Sequence, residues 1–505
     1  MTLQRVVAWL ASALAVTVAW FGLSAPAQAI PVFARQTGHN CQACHISYPE
    51  LTAYGREFKL NGYTFGEAQS IPVAVAIMGE YDTVKKSEQT SGSGQVCSGF
   101  APGGHDCHRA QLVQYSIFYG GRISDDFGMF GQMSSNEFPI SNGDSHSNAS
   151  SGGFTPTADN TEFRYVHRFT PDGALEPVAV VGLNVNNNPT MQDVWNAVPA
   201  WRFPWFPYLG AGLGPSAAPY IDNGGGTHNR VGTGIYAWIH KSVYLEASLY
   251  HSSTGFFNFM NWGSGGTEAN MGDQPSDVLK GENPYVRAAY SHDWGYHSIE
   301  VGALYFKVKT NQCNPAGSSC STAAMGSTNE YKDSMFDVQY QYNRNEPWIV
   351  SAAASYIHES NNLEGLFNYG ALVNGTLNPT PLSQADHTIN EVNIKGTVYY
   401  NRAYGATLGY TALSGTSDNN LYGSVVAGTN GVGSSANGSP KSNWWTLELN
   451  YLPLQNMRFS LLYQAFTKIN GGGSNFDGTA NPAAGIRGND ASGQNRLTLA
   501  IWWVY

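Results

Sequence analysis

Cys41, Cys44 and His45 stand together in the pentapeptide Cys41-Gln42-Ala43-Cys44-His45. Two thiols three residues apart, followed at once by an imidazole, suit three kinds of chemistry. They can exchange electrons as a dithiol, supply half of a zinc site, or carry a c-type haem. A dithiol motif needs a thioredoxin-like βαβ pattern around it, and none is visible. A zinc site needs a second Cys/His pair close by. With only six Cys in 505 residues, chance is a poor explanation. The spacing therefore predicts one covalently bound haem c, with Cys41 and Cys44 on its vinyl groups and His45 on the iron.

Export is a condition for that attachment, and the N-terminus provides for it. Arg5 is followed by an apolar run from Val6 to Phe21 and by Ala27-Gln28-Ala29, the layout of a secretory signal with its cleavage site. The expected division is 1–29 signal peptide, 30–70 monohaem cytochrome c segment and 71–505 β-barrel. Composition supports the last part. Only 12% of residues are charged and 13% are aromatic, with 57 Gly, 29 Tyr and 13 Trp. No apolar run after residue 30 is long enough for a spanning helix. Such a composition suits strands that alternate lipid-facing and lumen-facing positions between aromatic girdles; a secreted, soluble all-β protein is the plainer alternative. A formal charge of −10 argues against nucleic acid as a partner.

Period-2 alternation with turn punctuation predicts 16 strands: 71–84, 109–123, 126–139, 160–169, 174–184, 229–240, 242–251, 283–293, 296–308, 330–343, 347–358, 386–401, 404–413, 442–452, 456–466 and 494–505. Short connections are expected at 124–126, 170–173, 293–295, 344–346 and 453–456, and the strand bounds leave only 241 and 402–403 at two more joints, while the connections between them are long. Short turns alternating with long loops are the periplasmic and extracellular sides of an outer-membrane barrel. The fold class is thus an all-β transmembrane barrel of about 16 antiparallel strands, with a short N-terminal cytochrome plug entering from the periplasmic mouth. Cys97 with Cys107 and Cys313 with Cys320 are expected to form disulfides clipping loops. His105 and His108, beside Cys107, leave a metal site there as the alternative.

The segment 30–70 is too short to bury a core unaided. Residues 49–63 predict a helical turn or two closed by Gly62. Arg56 and Lys59, three apart, share a face there and are candidates for the haem propionates. Met78, beside Ala74 and Ala76 on the lumen side of the first strand, is the leading sixth ligand. His39 and an open distal site are the alternatives. Glu80, Glu246, Glu300, Asp337, Glu391 and Glu448 could line a cation-attracting path, or simply belong to a polar interior.

Phe33-Ala34-Arg35-Gln36-Thr37-Gly38, the Cys41-x-x-Cys44-His45 motif, Pro49-Glu50-Leu51 and Gly55-Arg56-x-Phe58-Lys59-Leu60-Asn61-Gly62-Tyr63 together resemble the fused monohaem cytochrome–porins of the outer membrane. The stretch Asn187-Asn188-Pro189-Thr190-Met191-Gln192-Asp193-Val194-Trp195-Asn196, with Pro199-Ala200-Trp201, is similar to a loop of that family. The best-known members are the iron-oxidising outer-membrane c-type cytochromes. The resemblance implies electron transfer across the outer membrane, with extracellular Fe(II) as the leading donor. The expected function is oxidation of extracellular Fe(II), or a similar donor, at a haem c in the lumen. A periplasmic c-type cytochrome is the expected acceptor and outer-membrane lipid the surroundings. The rivals are a diffusion porin with a structural haem plug, outward electron flow, and a haem peroxidase, which would need a distal His or Arg signature that the sequence does not show.

Overall fold

A computed structural model describes residues 32–84, 107–139, 157–189, 215, 217–222, 230–253, 257, 259–260, 279–313, 325–344, 347–369, 371–373, 376–378, 382–423, 435–478 and 489–505. The segment 1–29 and the pairings of Cys97 with Cys107 and of Cys313 with Cys320 lie outside what is described.

Inward and outward side chains alternate along each long strand, so each strand buries one side and shows the other to lipid. The first eight strands are β1 (Val73–Val84), β2 (Cys107–Arg122), β3 (Phe127–Pro139), β4 (Thr157–Phe169), β5 (Ala179–Asn186), β6 (Arg230–Ile239), β7 (Val243–Ser252) and β8 (Asn283–Trp294). The second eight are β9 (His297–Cys313), β10 (Met325–Asn343), β11 (Trp348–Asn362), β12 (Asp386–Tyr400), β13 (Tyr404–Gly415), β14 (Ser442–Leu454), β15 (Met457–Lys468) and β16 (Arg496–Val504). Each pairs antiparallel with its neighbours in sequence, and β16 returns to β1 with Val504 opposite Ala76, closing a 16-stranded barrel.

The outward residues are apolar. Val73, Val75 and Ile77 are exposed while Ala74, Ala76 and Met78 are buried; Leu245 and Leu249 are exposed while Tyr244, Glu246 and Ser248 are buried. No helix among the described residues is long and apolar enough to cross a membrane. The strands make the crossing, because only a closed barrel satisfies every strand's backbone groups in lipid without an edge. Phe169, Trp294, Tyr296, Trp348, Tyr400, Tyr404, Tyr451 and Tyr505 are exposed beside the turns at one end and form an aromatic girdle. This is an outer-membrane barrel.

All seven even-to-odd connections are short. Two of them, at 240–242 and 401–403, are as tight as the expected strand bounds imply, and their backbone shows how. His240 and Lys241 have φ of 51° and 54°, and Asn401 and Arg402 have 50° and 54°. These are the paired positive φ values of a tight hairpin, which the twist of the strands favours. The dipeptides His-Lys and Asn-Arg lack the glycine that advertises such a turn.

The short-turn mouth holds the plug. It comprises α1 (Val32–Thr37), α2 (Cys41–Cys44), a small hairpin His45–Ser47/Glu50–Leu51, and α3 (Ala53–Leu60). Its polar groups bond to the wall all round the barrel. Arg35 donates to the Val73 carbonyl in β1, and the Gln36 carboxamide accepts from the Arg122 amide in β2 (2.9 Å). Tyr63 donates to Glu162 in β4 (2.7 Å), and Tyr236 in β6 donates to the Leu60 carbonyl (2.7 Å). Across the mouth, Ser351 in β11 donates to Glu50 (3.0 Å) and Arg458 in β15 to Ser47 (3.0 Å). A segment too short for its own core thus borrows the wall. At Gly128 in β3 an added Cβ would lie 2.1 Å from the Gly62 carbonyl oxygen, so the plug backbone rests directly on the strand.

Candidate functional site

Asn40 opens α2, its side chain accepting from the Ala43 amide (3.1 Å), and the His45 amide closes it on the Cys41 carbonyl. Both thiols and the imidazole therefore issue from one turn and its cap. Thr52 fastens α3 to that turn. Its hydroxyl donates to the Ala43 carbonyl (2.5 Å) and accepts from the Gly55 amide (3.2 Å), while its own amide donates to the Cys44 carbonyl (2.9 Å). Gly55 permits the approach, since a Cβ there would stand 2.3 Å from the Cys44 carbonyl oxygen.

The His45 ring places Nδ1 3.3 Å from the Pro49 carbonyl oxygen. A neutral ring that donates from Nδ1 keeps its lone pair on Nε2, the arrangement in which a second partner orients a ligating imidazole. Enclosure pushes the ring's pKa down to about 4, so it is neutral, as a ligand must be. Burial pushes Cys44 up to about 12 and Cys41 upward as well. A dithiol redox motif requires the opposite shift, toward thiolate. Among the described residues no group of three or more His, Cys, Asp or Glu is placed to hold a metal ion by itself, which leaves the half-zinc-site alternative without partners.

Cys41, Cys44 and His45 face one cavity of about 350 Å³ between the plug and β1, β2, β3, β4 and β16. Its walls are mostly apolar: Phe33, Phe58 and Tyr63 from the plug, Ala74 and Met78 from β1, Phe118 and Phe130 from β2 and β3, and Trp502 and Val504 from β16. Gln114, Gln132, Asp159 and Asn160 give it one polar side. An apolar chamber presenting two thiols and one imidazole nitrogen fits a covalently attached haem. Thr52 and the wall aromatics Phe118, Phe130 and Trp502 were not singled out in the sequence, and Gly55, Phe33, Phe58 and Tyr63 entered it only as part of a motif. The spacing of Thr52 and Gly55, a hydroxyl three residues before the amide it caps, is the signal that finds them.

Arg56 and Lys59 do not act together. Lys59 lines the cavity. Arg56 turns into the opposite wall, donating to Asp293 (2.9 Å), Ser298 (3.2 Å) and Gln341 (3.2 Å). The shared helix face is therefore corrected to one basic group at the cavity and one anchoring the plug. Beside Arg56 the buried Glu50 carboxylate accepts from Gln341 (2.8 Å) and Ser351 (3.0 Å), so both charges tie plug to barrel.

Met78 faces the same cavity as His45, buried among Tyr48, Ala76, Val113, Leu462, Ala500 and Trp502, with Cys41 packed against that cluster. His39 also lines the cavity, its ring edge-on to Tyr54 at 5.0 Å. Both candidates therefore remain in reach of one chamber. If Met78 ligates iron, Met78→Ala should shift the Soret band and lower the midpoint potential, because thioether ligation raises it. An unchanged spectrum in the folded variant removes Met78 as a ligand.

The lumen acids have partners of their own. Arg287 is gripped by both oxygens of Asp337 (2.8 and 2.9 Å) and by Glu300 (3.0 Å). Glu448 pairs with Arg458, and Glu246 accepts from Tyr244 (2.8 Å) and Ser248 (2.6 Å). Glu300, Asp337 and Glu448 sit in buried ion pairs and Glu246 is held by two hydroxyls, which favours the polar interior over the cation-attracting row for these four. Glu80 and Glu391 are buried in the same wall.

No family model and no curated protein sequence matches the chain. Solved structures of barrels do. The structure of Pseudomonas putida OprB at high pH aligns with 91% of this chain and 99% of its own, at 10% identity and a TM-score of 0.47. The anion-selective porin from Comamonas acidovorans aligns with 86% and 99%, at 10% identity and 0.42. The outer membrane channel DcaP of Acinetobacter baumannii aligns with 88% and 99%, at 13% identity and 0.39. Likeness at this level says nothing of activity. On its own strand pairing, turn asymmetry and apolar belt, the chain is an outer-membrane β-barrel protein of porin type.

Proposed function

We propose that this chain is an outer-membrane electron-transfer protein of the cytochrome–porin kind. It would take electrons from extracellular Fe(II), or a similar donor, and deliver them to a periplasmic c-type cytochrome. One observation carries the reading: Cys41, Cys44 and His45 converge on a single apolar chamber at the periplasmic mouth. A haem c held there would supply one-electron exchange. Cys41 and Cys44 would fix it covalently, and His45 would present Nε2, oriented through Nδ1 by Pro49. Lys59, the basic side chain in the chamber's lining, would face a propionate. Each Fe(II) would leave as Fe(III), its electron passing to an oxidised periplasmic carrier.

The runner-up is a diffusion porin whose haem plug is structural. The closed 16-stranded wall favours it, since barrels of this size have room for an aqueous channel. The plug's bonds to strands on every side speak against free passage at the periplasmic mouth. Absorption spectra of the detergent-purified oxidised protein, before and after anaerobic Fe(II), separate the readings. Rapid growth of sharp reduced c-haem bands is the expected result. Haem reducible by dithionite but not by Fe(II), together with brisk solute flux in liposomes, would transfer the assignment to the porin. Haem slow to take electrons from Fe(II) without such flux would point to another donor or to outward flow.

A further inference from the structure

The lipid-facing side chains of β9, read away from the short-turn end, are His297, Ile299, Val301, Ala303, Tyr305, Lys307 and Lys309; the intervening Leu304, Phe306 and Val308 are buried inward. The apolar belt therefore ends at Tyr305 and two lysines follow at once. On β10 the same progression runs from exposed Val338 and Phe336 to Lys332 and Glu330. Lys307 and Lys332 face each other directly across the two strands, and Lys309 faces Glu330. Like charges on one rung of a strand pair repel. A single carboxylate answers them: Glu330 lies 3.1 Å from Lys307, 3.1 Å from Lys309 and 2.6 Å from Lys332. Three ammonium groups against one carboxylate leave an excess of two positive charges, half-exposed on the outer wall. Lys280 is exposed beside them, its amide donating to the Lys309 carbonyl (2.8 Å). Asp386 also acts on Lys332 through space, while the salt bridges of the three lysines run to Glu330.

We propose that Lys307, Lys309 and Lys332 bind a phosphate group on the headgroup of an anionic lipid in the outer leaflet. The position decides for a lipid over a free anion. The charges stand immediately above the belt at the long-loop, extracellular end, so a phosphate bound there is directly continuous with acyl chains lying on Val301, Phe336 and Val338. Tyr305 marks the boundary, where an aromatic ring with a polar tip is favoured. Basic clusters bordering a hydrophobic zone recognise phosphorylated headgroups in this way.

Native mass spectrometry of the full-length, delipidated protein tests the site with bisphosphorylated lipid A, its dephosphorylated form and inorganic phosphate. The phosphorylated lipid should bind at least tenfold more tightly than the dephosphorylated one. Lys307→Gln with Lys332→Gln should abolish that preference. Glu330→Gln, which removes the competing internal anion, should strengthen binding several-fold, and it decides the matter should the double variant fail to fold. Equal retention of both lipids, or no gain from Glu330→Gln, would overturn the proposal. Inorganic phosphate binding as tightly as the lipid would reassign the lysines to a free anion.

Discussion

Changing Cys41 and Cys44 together to alanine is expected to remove all covalently bound haem while leaving the barrel assembled. The expectation follows from where the bonds lie. The wall is held by sixteen consecutive strand pairings that do not involve residues 41–45. The plug is anchored through other side chains, among them Gln36, Glu50, Arg56 and Tyr63. His45→Ala should act differently. With both thiols intact the haem stays attached, but its spectrum loses the signature of an imidazole-ligated iron. A pyridine haemochrome assay, run beside heat-modifiable gel migration, reads both variants. Loss of the folded barrel in both would refute the division into a carrier plug and an independent wall.

Arg458→Met is expected to be the most damaging single change at the junction of plug and wall. Arg458 is almost fully buried in β15, pairs with Glu448, and donates to Ser47 (3.0 Å) and the Tyr48 carbonyl (3.3 Å). Removing the guanidinium leaves Glu448 buried without its counter-ion, and breaking such a pair costs about 3–5 kcal/mol. It also removes two of the bonds that hold the hairpin carrying His45 against the wall. The variant should therefore lose thermal stability and haem loading together. The double change Arg458→Met, Glu448→Gln should recover much of the stability and less of the loading, since the bonds to Ser47 and the Tyr48 carbonyl stay lost. Full recovery of both in the double variant would show that Arg458 serves the wall alone. Thermal melting in detergent and haem content per barrel measure the two effects.

Most of the fold was legible because a barrel strand writes its environment into every second residue. Val73, Val75 and Ile77 against Ala74, Ala76 and Met78 is enough to orient β1, and the observed strands differ from the expected ones chiefly in length. What escaped was set by tertiary geometry. The turns at His240-Lys241 and Asn401-Arg402 take positive φ without glycine, because the twist of two already paired strands imposes it. The face shared by Arg56 and Lys59 follows from helical period. Which wall each would meet depends on β8, β9 and β10, far away in sequence. The acids were left between two readings for the same reason: Asp337 and its partner Arg287 are 50 residues apart, and spacing along the chain cannot pair them. The thiols and imidazole were legible because their chemistry demands a fixed local spacing. The aromatic chamber around them, drawn from five strands and the plug, was not.

The position of that chamber bears on the order of biogenesis. Ala74 and Met78 come from the first strand, Trp502 and Val504 from the last, and the Tyr505 amide bonds to the Val75 carbonyl (2.7 Å) across the joint. The walls of the chamber meet only when the two ends of the chain zip together. A prosthetic group fixed beforehand, while the N-terminal segment is still accessible, would be enclosed by the same closure that completes the cylinder. Attachment and closure would then be coupled: the rungs that join β16 to β1 are also the door of the chamber.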